Sequence, residues 1–107
     1  MTIKKYNKLV RDRIPEIIEE SGKHCKYSIL SNEEYLARLD DKLNEELAEY
    51  QESKSMEELA DLLEVVRAVA AARGSSIEEV ETIRRDKAEA RGGFKKMLLL
   101  TEVITDD

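Results

Sequence analysis

The sequence contains few of the residues that break or cross-link a chain, and it has no long apolar run. One proline, four glycines and 5% aromatic residues are too few for a β-sandwich and favour packed amphipathic helices. The single cysteine, Cys25, excludes an internal disulfide, so folding does not require an oxidising compartment. The opening residues lack the apolar stretch of a signal peptide, and no run is long enough to cross a bilayer. We therefore expect a soluble cytoplasmic protein without membrane contact.

Basic residues are outnumbered by acidic ones, and both are unevenly distributed. The net charge of −6 argues against a protein that binds a nucleic-acid backbone. Twelve of the 24 acidic residues lie between positions 33 and 64, whereas basic residues gather near the start and again between positions 84 and 96. An acidic centre between basic segments suits a metal ion with a polyphosphate attached, and charges spread over solvated helix faces are the alternative.

Chain length and hydrophobic spacing predict one small helical domain, spanning 1–107, with a modest core. Periodicity and capping signals predict four helices, at about 11–21, 32–53, 55–73 and 76–91. Asn32 is the predicted N-cap of the second helix, and Ser55 with Glu58 has capping-box spacing at the third. Residues 26–30 favour a short strand, and 97–104 favour a strand pairing with it or a helix end. We expect an all-α fold of the four-helix-bundle type.

The second helix carries acidic residues beside its apolar stripe. Each residue turns a helix by about 100°, which places Leu39, Leu43 and Leu47 in one stripe. Glu46 lies at the edge of this stripe, Glu49 lies next to it, and "KLNEELAEY" also contains Glu45, which lies farthest away. We therefore expect the first two to lean toward the seam with the third helix.

The third helix carries two further carboxylates in apolar surroundings. Glu58 falls inside its broad apolar arc and Asp61 falls at the border, whereas Glu64 and Arg67 point the opposite way. Glu58 alone is explained as the partner in a capping box, but that role does not explain the other acids that lean toward the same seam. If the two helices pack antiparallel through a short turn, the four carboxylates meet.

Ionised carboxylates gathered in a half-buried site need a cation, because otherwise they repel one another or their pKa values rise. All-oxygen ligation is what Mg²⁺ or Mn²⁺ prefers, and Mg²⁺ completes its shell with substrate phosphates. A di-iron site needs Glu-x-x-His motifs, and the single histidine, His24, lies outside the predicted helices. Neither a zinc ligand pattern nor a glycine-rich phosphate loop is present. The sequence therefore favours a Mg²⁺ site for a phosphorylated ligand.

The acidic motifs and the stretches that flank them resemble a known enzyme family. "EELAE" (45–49), "ELAD" (58–61), "YNKLVRDRIPEII" (6–18) and "KAEARGGF" (87–94) are similar to motifs of the all-α nucleoside triphosphate pyrophosphohydrolase superfamily. The resemblance is to its MazG-like, phosphoribosyl-ATP-pyrophosphohydrolase-like branch of small single-domain proteins. It implies Mg²⁺-dependent hydrolysis of a (d)NTP to the monophosphate and pyrophosphate, with house-cleaning of the nucleotide pool as one purpose.

The resemblance also implies roles for individual residues. The implied metal ligands are Glu46, Glu49, Glu58 and Asp61. Glu45 and Glu46 are the implied catalytic pair, the former completing the cluster or orienting the attacking water. The candidates for contact with phosphate oxygens are Lys8, Arg11, Lys87 and Arg91. For each of these basic residues, a surface role is the alternative.

The width of the apolar arc on the third helix predicts at least a homodimer, because a helix apolar over so much of its surface is usually covered on two sides. Two alternatives to a nucleoside triphosphate pyrophosphohydrolase stay open. One is a phosphoribosyl-ATP pyrophosphohydrolase of histidine biosynthesis. The other is a non-catalytic helical interaction module, whose acidic residues form a solvated face.

Overall fold

The computed structural model describes residues 1–106, and all of its regular structure is helical. The four helices are α1 (Ile14–Glu20), α2 (Asn32–Ser53), α3 (Met56–Ala72) and α4 (Ile77–Arg91). This confirms the all-α prediction. Across residues 1–106, no helix combines the length and the apolar composition needed to span a bilayer.

Side-chain caps fix the starts of α2 and α3. The hydroxyl of Ser31 accepts the backbone N–H of Glu34 at 3.2 Å, so the prediction of Asn32 as the N-cap was wrong by one residue. Ser55 caps α3 as predicted and accepts the N–H of Glu58 at 3.2 Å. Between the helices, Lys54 adopts a left-handed conformation with φ of 58°. This tight connection lets α2 and α3 pack against each other as a helical hairpin.

Helix α1 begins three residues later than the sequence predicts. Pro15 lies in its first turn, where the missing N–H of a proline costs nothing. Because proline has no N–H, it cannot donate to the carbonyl of Arg11, and this interaction would be needed for a helix that includes Arg11. The N–H of Ile14 instead closes a turn on the Arg11 carbonyl at 3.1 Å. Arg11 therefore belongs to the segment that precedes the helix.

The strands predicted at 26–30 and 97–104 are not formed, and the second segment is not a helix end either. The apolar side chains of both segments are largely exposed, with Ile29 at 94% and Leu99 at 86%. β-Branched and apolar residues produce a strand only where a neighbouring backbone completes the hydrogen bonds. Within residues 1–106 no such ladder is present, so local composition was misleading.

The chain divides into two units, Met1–Ile77 and a second that begins at Glu78. In the first unit, the α2–α3 hairpin buries Leu39, Val65 and Ala70. One acidic side chain, that of Glu46, is buried among them. The second unit contains nearly all of α4, which buries no residue fully. That both units form one domain stays a prediction.

Candidate metal centre

The α2–α3 hairpin brings three predicted metal ligands together. One carboxylate oxygen from each of Glu46, Glu58 and Asp61 lies within 4.8 Å of the other two. Glu49, the fourth predicted ligand, is not part of this group, but its carboxyl interacts with those of Glu46 and Glu58. We refer to Glu46, Glu49, Glu58 and Asp61 as the acidic cluster.

At two adjacent positions of α2, the charged residue Glu46 is buried and the apolar residue Leu47 is exposed, which is the reverse of what hydrophobicity predicts. Glu46 is 7% exposed, whereas Leu47 is 42% exposed. The assignment of Leu47 to the buried stripe was therefore wrong. A carboxylate transferred into an apolar environment without compensation is costly, and the adjacent leucine stays partly in water. The packing of α3 against α2 therefore buries an acidic side chain, whose ionised form is costly there unless a counter-charge compensates it.

Two carboxylate oxygens of the cluster are buried without a hydrogen-bond partner, Oε2 of Glu46 and Oε2 of Glu58. In a full capping box, Glu58 would accept the backbone N–H of Ser55. That N–H donates instead to the hydroxyl of Ser53 at 3.2 Å. Carboxylate oxygens only accept hydrogen bonds, so the two orphaned atoms require a donor or a cation. The capping box therefore does not account for where the Glu58 side chain lies.

Burial and charge repulsion both disfavour ionisation within the cluster. Burial is the largest cause that raises the pKa of Glu46, and Glu49 raises it further, against the nearby ammonium of Lys42. Burial also raises the pKa of the half-buried Glu58, and the neighbouring Glu49 raises it further. The cluster thus favours either bound protons or a bound cation.

Glu45 lies in a different environment, between two lysines. Its carboxylate is 3.2 Å from Lys8 Nζ and 3.3 Å from Lys42 Nζ. Partial burial alone would raise the pKa of Glu45, but the hydrogen bond from Lys8 and the charge of Lys42 outweigh it and lower the pKa. Glu45 is consequently ionised at neutral pH. Lys42 also approaches Glu46 Oε1 at 3.6 Å.

Sequence reasoning did not include Lys42 in the site, although a signal was present. Lysines spaced three and four residues from glutamates on a helix face the same side, as Lys42 does with Glu45 and Glu46. The side chain of Lys42 is only 17% exposed, which makes it the least exposed of the basic side chains at the cluster. It belongs to the site as a counter-ion.

Two of the predicted phosphate-binding residues lie against carboxylates of the site. Lys8 contacts Glu45, and Arg11 contacts Asp61 at 2.8 Å. Arg11 also approaches Glu64 at 3.7 Å, but Glu64 has Arg67 as a second counter-ion at 3.6 Å. The acidic cluster and Glu45 thus present five carboxylates to three basic side chains. If all five are ionised, two negative charges are left uncompensated, which is the charge of one divalent cation.

The other two predicted phosphate-binding residues, Lys87 and Arg91, lie on α4 and are exposed. Both belong to the second unit, whereas the acidic cluster lies in the first. Their role therefore stays a prediction.

Comparisons with known proteins reach only part of the chain. An uncharacterized protein of Mycolicibacterium smegmatis (strain ATCC 700084 / mc(2)155) is 58% identical over 41 residues. The match covers 38% of this chain and 42% of that protein, so the chain spans less than half the length of this relative. No protein-family model and no solved structure matches.

Proposed function

We propose that this chain is a Mg²⁺-dependent nucleoside triphosphate pyrophosphohydrolase that converts a (d)NTP to the monophosphate and pyrophosphate. The observation that supports the proposal most directly is the burial of the Glu46 carboxylate beside two other carboxylates. Its side chain is more than nine-tenths buried, one oxygen has no partner, and Glu58 and Asp61 present oxygens within 4.8 Å. The resemblance of the acidic and flanking motifs to the pyrophosphohydrolase superfamily supports the reaction class.

The donor set fits a hard divalent cation. All of its atoms are carboxylate oxygens, which Mg²⁺ and Mn²⁺ prefer, and no histidine or cysteine contributes to the cluster. Glu46, Glu58 and Asp61 would hold the ion, with Glu49 as the fourth carboxylate. When bound, such an ion supplies charge neutralisation for the phosphates and lowers the pKa of a water molecule.

The surrounding residues would position the reactants. Glu45 is ionised and held between two lysines, so it can accept a hydrogen bond from the attacking water and orient it toward the phosphorus atom. Lys8 and Arg11 lie beside the cluster and offer N–H donors to phosphate oxygens. We further propose a cytoplasmic location, which is compatible with the free thiol of Cys25.

Measurement of pyrophosphate release tests the proposed activity. The purified chain is incubated with each common NTP and dNTP and with phosphoribosyl-ATP, in Mg²⁺, Mn²⁺ or EDTA. We expect Mg²⁺-dependent release from (d)NTPs, no release in EDTA, and loss of release in Glu49→Gln. Glu52→Gln, an exposed acid on the same helix, is the matched control. Pyrophosphate release from phosphoribosyl-ATP alone would identify the chain as a phosphoribosyl-ATP pyrophosphohydrolase. The absence of release from every substrate would contradict the proposal.

One set of observations favours a non-catalytic helical module as the second candidate. Lys42 and Arg11 already partly neutralise Glu46 and Asp61 within the chain. If these contacts were the whole purpose of the cluster, Mg²⁺ would leave the melting temperature unchanged. Glu58→Gln would then keep or improve stability at every Mg²⁺ concentration.

We also propose that the chain forms a homodimer through the exposed apolar face of α3. Met56, Leu59 and Leu63 follow one another at helical spacing and are 68%, 38% and 57% exposed. Leu47 of α2 is exposed as well, at 42%. Complete burial of a fully exposed side chain of this kind contributes about 1.5–3 kcal/mol. Because these four are already partly buried, a second copy that covers this face would add on the order of a few kcal/mol.

A further inference from the structure

The segment before α1 is tied to the α2–α3 hairpin by contacts of basic side chains. Lys8 contacts Glu45 of α2 at 3.2 Å, and Arg11 contacts Asp61 of α3 at 2.8 Å. The guanidinium of Arg38 on α2 donates to the backbone carbonyl of Asn7 at 3.2 Å, which anchors the chain immediately before Lys8. Asn7 adopts a left-handed conformation with φ of 48°, so the chain turns immediately before Lys8. Both helices of the hairpin therefore hold this segment.

Arg11 is bound to a carboxylate of the proposed metal centre itself. Asp61 belongs to the three residues whose oxygens converge within 4.8 Å, and its Oδ1 accepts a hydrogen bond from Arg11. The other terminal nitrogen of Arg11 approaches Glu64, one turn along α3. The guanidinium therefore acts as a cation at one side of the acidic cluster.

The Arg11 contact is exposed enough to be exchanged. The side chains of Arg11 and Asp61 are 57% and 43% exposed, and ion pairs of this kind are weak. Glu46, another member of the cluster, is buried and keeps an unpartnered oxygen that Arg11 does not satisfy. A divalent cation can reach both groups, because it accepts ligands from several directions. Arg11, in contrast, pairs only with the exposed Asp61 and leaves the buried Glu46 oxygen without a partner.

We propose that Arg11 and the divalent cation are alternative counter-ions of Asp61. In the metal-free chain Arg11 holds the carboxylate, and cation binding displaces it. The released guanidinium then binds a phosphate oxygen of the nucleotide, for which its forked N–H groups are suited. This inference rests on the proposed function and adds an order of events, in which the metal frees the residue that recognises the phosphate.

Mn²⁺ binding without nucleotide tests the displacement. Calorimetric titration is carried out on the wild-type chain, Arg11→Gln and Arg13→Gln. Arg13 lies in the same segment but pairs with Glu16 at 3.1 Å, so it is a matched control for the loss of one positive charge. We expect Arg11→Gln to bind Mn²⁺ about fivefold more tightly than wild type, because Mn²⁺ no longer has to break the exposed ion pair between Arg11 and Asp61. Arg13→Gln should stay within a factor of about two of the wild-type Kd.

Nucleotide kinetics test the second half of the inference. At saturating Mg²⁺, Arg11→Gln should raise KM for the nucleotide about tenfold, the value of one charge-assisted hydrogen bond to phosphate. Arg11→Lys keeps the charge but loses the fork, so its Mn²⁺ affinity should stay near wild type while KM rises. In the wild-type chain, Mg²⁺ should shift the Arg11 side-chain NMR signal and leave that of Arg13 unchanged. This measurement does not depend on the folding of any variant.

The outcomes separate this inference from the proposed function. Equal or weaker Mn²⁺ binding by Arg11→Gln, or an unmoved Arg11 signal at saturating Mg²⁺, overturns the displacement and leaves the metal site intact. An unchanged KM overturns the phosphate contact. Absence of Mn²⁺ binding in the wild-type chain overturns the proposed metal-dependent function and this inference with it.

Discussion

The variant Glu46→Gln should be more stable than the wild-type chain in EDTA and less stable than the wild-type chain in saturating Mg²⁺. The substitution keeps the size of the side chain and removes its charge. In EDTA, the folded wild-type chain carries a buried carboxylate whose pKa is raised by burial and by neighbouring acids. The variant is free of this unfavourable charge, so we expect it to be the more stable protein. At saturating Mg²⁺, the wild-type chain gains binding energy that the variant lacks.

The magnitudes follow from distances in the cluster. Oxygens of Glu46 and Asp61 lie within 4.8 Å, and like charges at that distance repel by about 3.5 kcal/mol at an effective dielectric constant of ~20. Lys42, at 3.6 Å from Glu46, attracts its carboxylate by about 4.6 kcal/mol on the same basis and so offsets this repulsion. The net cost of the charge comes from burial and from Glu49, the two largest causes of the raised pKa of Glu46. We therefore expect Glu46→Gln to gain roughly 1 kcal/mol in EDTA, within the usual range for a substitution.

The gain from metal binding is larger. A ligand present at about 100 times its Kd stabilises the folded state by about 2.7 kcal/mol. For a domain of this size, each kcal/mol moves the melting temperature by roughly 4–8 °C. The wild-type chain should therefore melt at least about 10 °C higher in saturating Mg²⁺ than in EDTA.

Differential scanning calorimetry of the wild-type chain, Glu46→Gln and Glu52→Gln provides the assay. Glu52 is exposed on the same helix, so its variant should follow the wild-type chain in both buffers. If Mg²⁺ stabilises Glu46→Gln as much as the wild-type chain, the buried carboxylate is not a ligand. If Mg²⁺ stabilises neither protein, the acidic cluster is a structural feature held by its own lysine and arginine contacts.

Three further predictions concern turnover, pH and assembly. Glu49→Gln and Asp61→Asn should each lower pyrophosphate release by at least about 100-fold while circular dichroism stays helical; retained activity in both rejects the site assignment. In EDTA the raised pKa of Glu46 means that the folded state holds its proton more tightly than the unfolded state. The contribution of Glu46 to stability is therefore full below the unfolded value of 4.5 and is lost as pH rises through the higher folded value. Urea denaturation across this range should show a smaller loss in Glu46→Gln, whereas saturating Mg²⁺ should reverse the slope, because ligands must be deprotonated. Leu63→Glu should convert a dimer to a monomer in light scattering while Arg67→Glu on the solvated face does not; a wild-type monomer rules out the proposed dimer.

Much of the helical architecture could be predicted from the sequence, because helix caps and apolar spacing depend only on residues close together in the chain. The cap at Ser55 and the spacing of apolar residues are properties of neighbouring positions, so α3 began where the sequence predicts. The start of α1 required one more consideration, namely that Pro15 cannot bond back to Arg11. The strand at 26–30 failed for the opposite reason, since a strand depends on a partner that local composition does not reveal.

In the candidate site too, features that depend on neighbouring positions could be predicted from the sequence, and features that depend on contacts between distant residues could not. Helical periodicity indicated that Glu46 and Glu58 lean toward the seam, and they lie there in the structure. Periodicity did not reveal that Glu46 would be buried in preference to Leu47, because that choice depends on the packing of α3 against α2. The position of Arg11 on Asp61 was also unreadable, since it joins residues fifty positions apart through an irregular segment.

The central claim is that the acidic cluster holds a divalent cation, and anomalous diffraction from crystals grown in Mn²⁺ tests it most directly. We expect one strong peak with oxygens of Glu46, Glu58 and Asp61 at roughly 2.1 Å, and with Arg11 moved away from Asp61. A fully hydrated or absent Mn²⁺ at saturating concentration, with Glu46 still buried and its oxygen unpartnered, would contradict it.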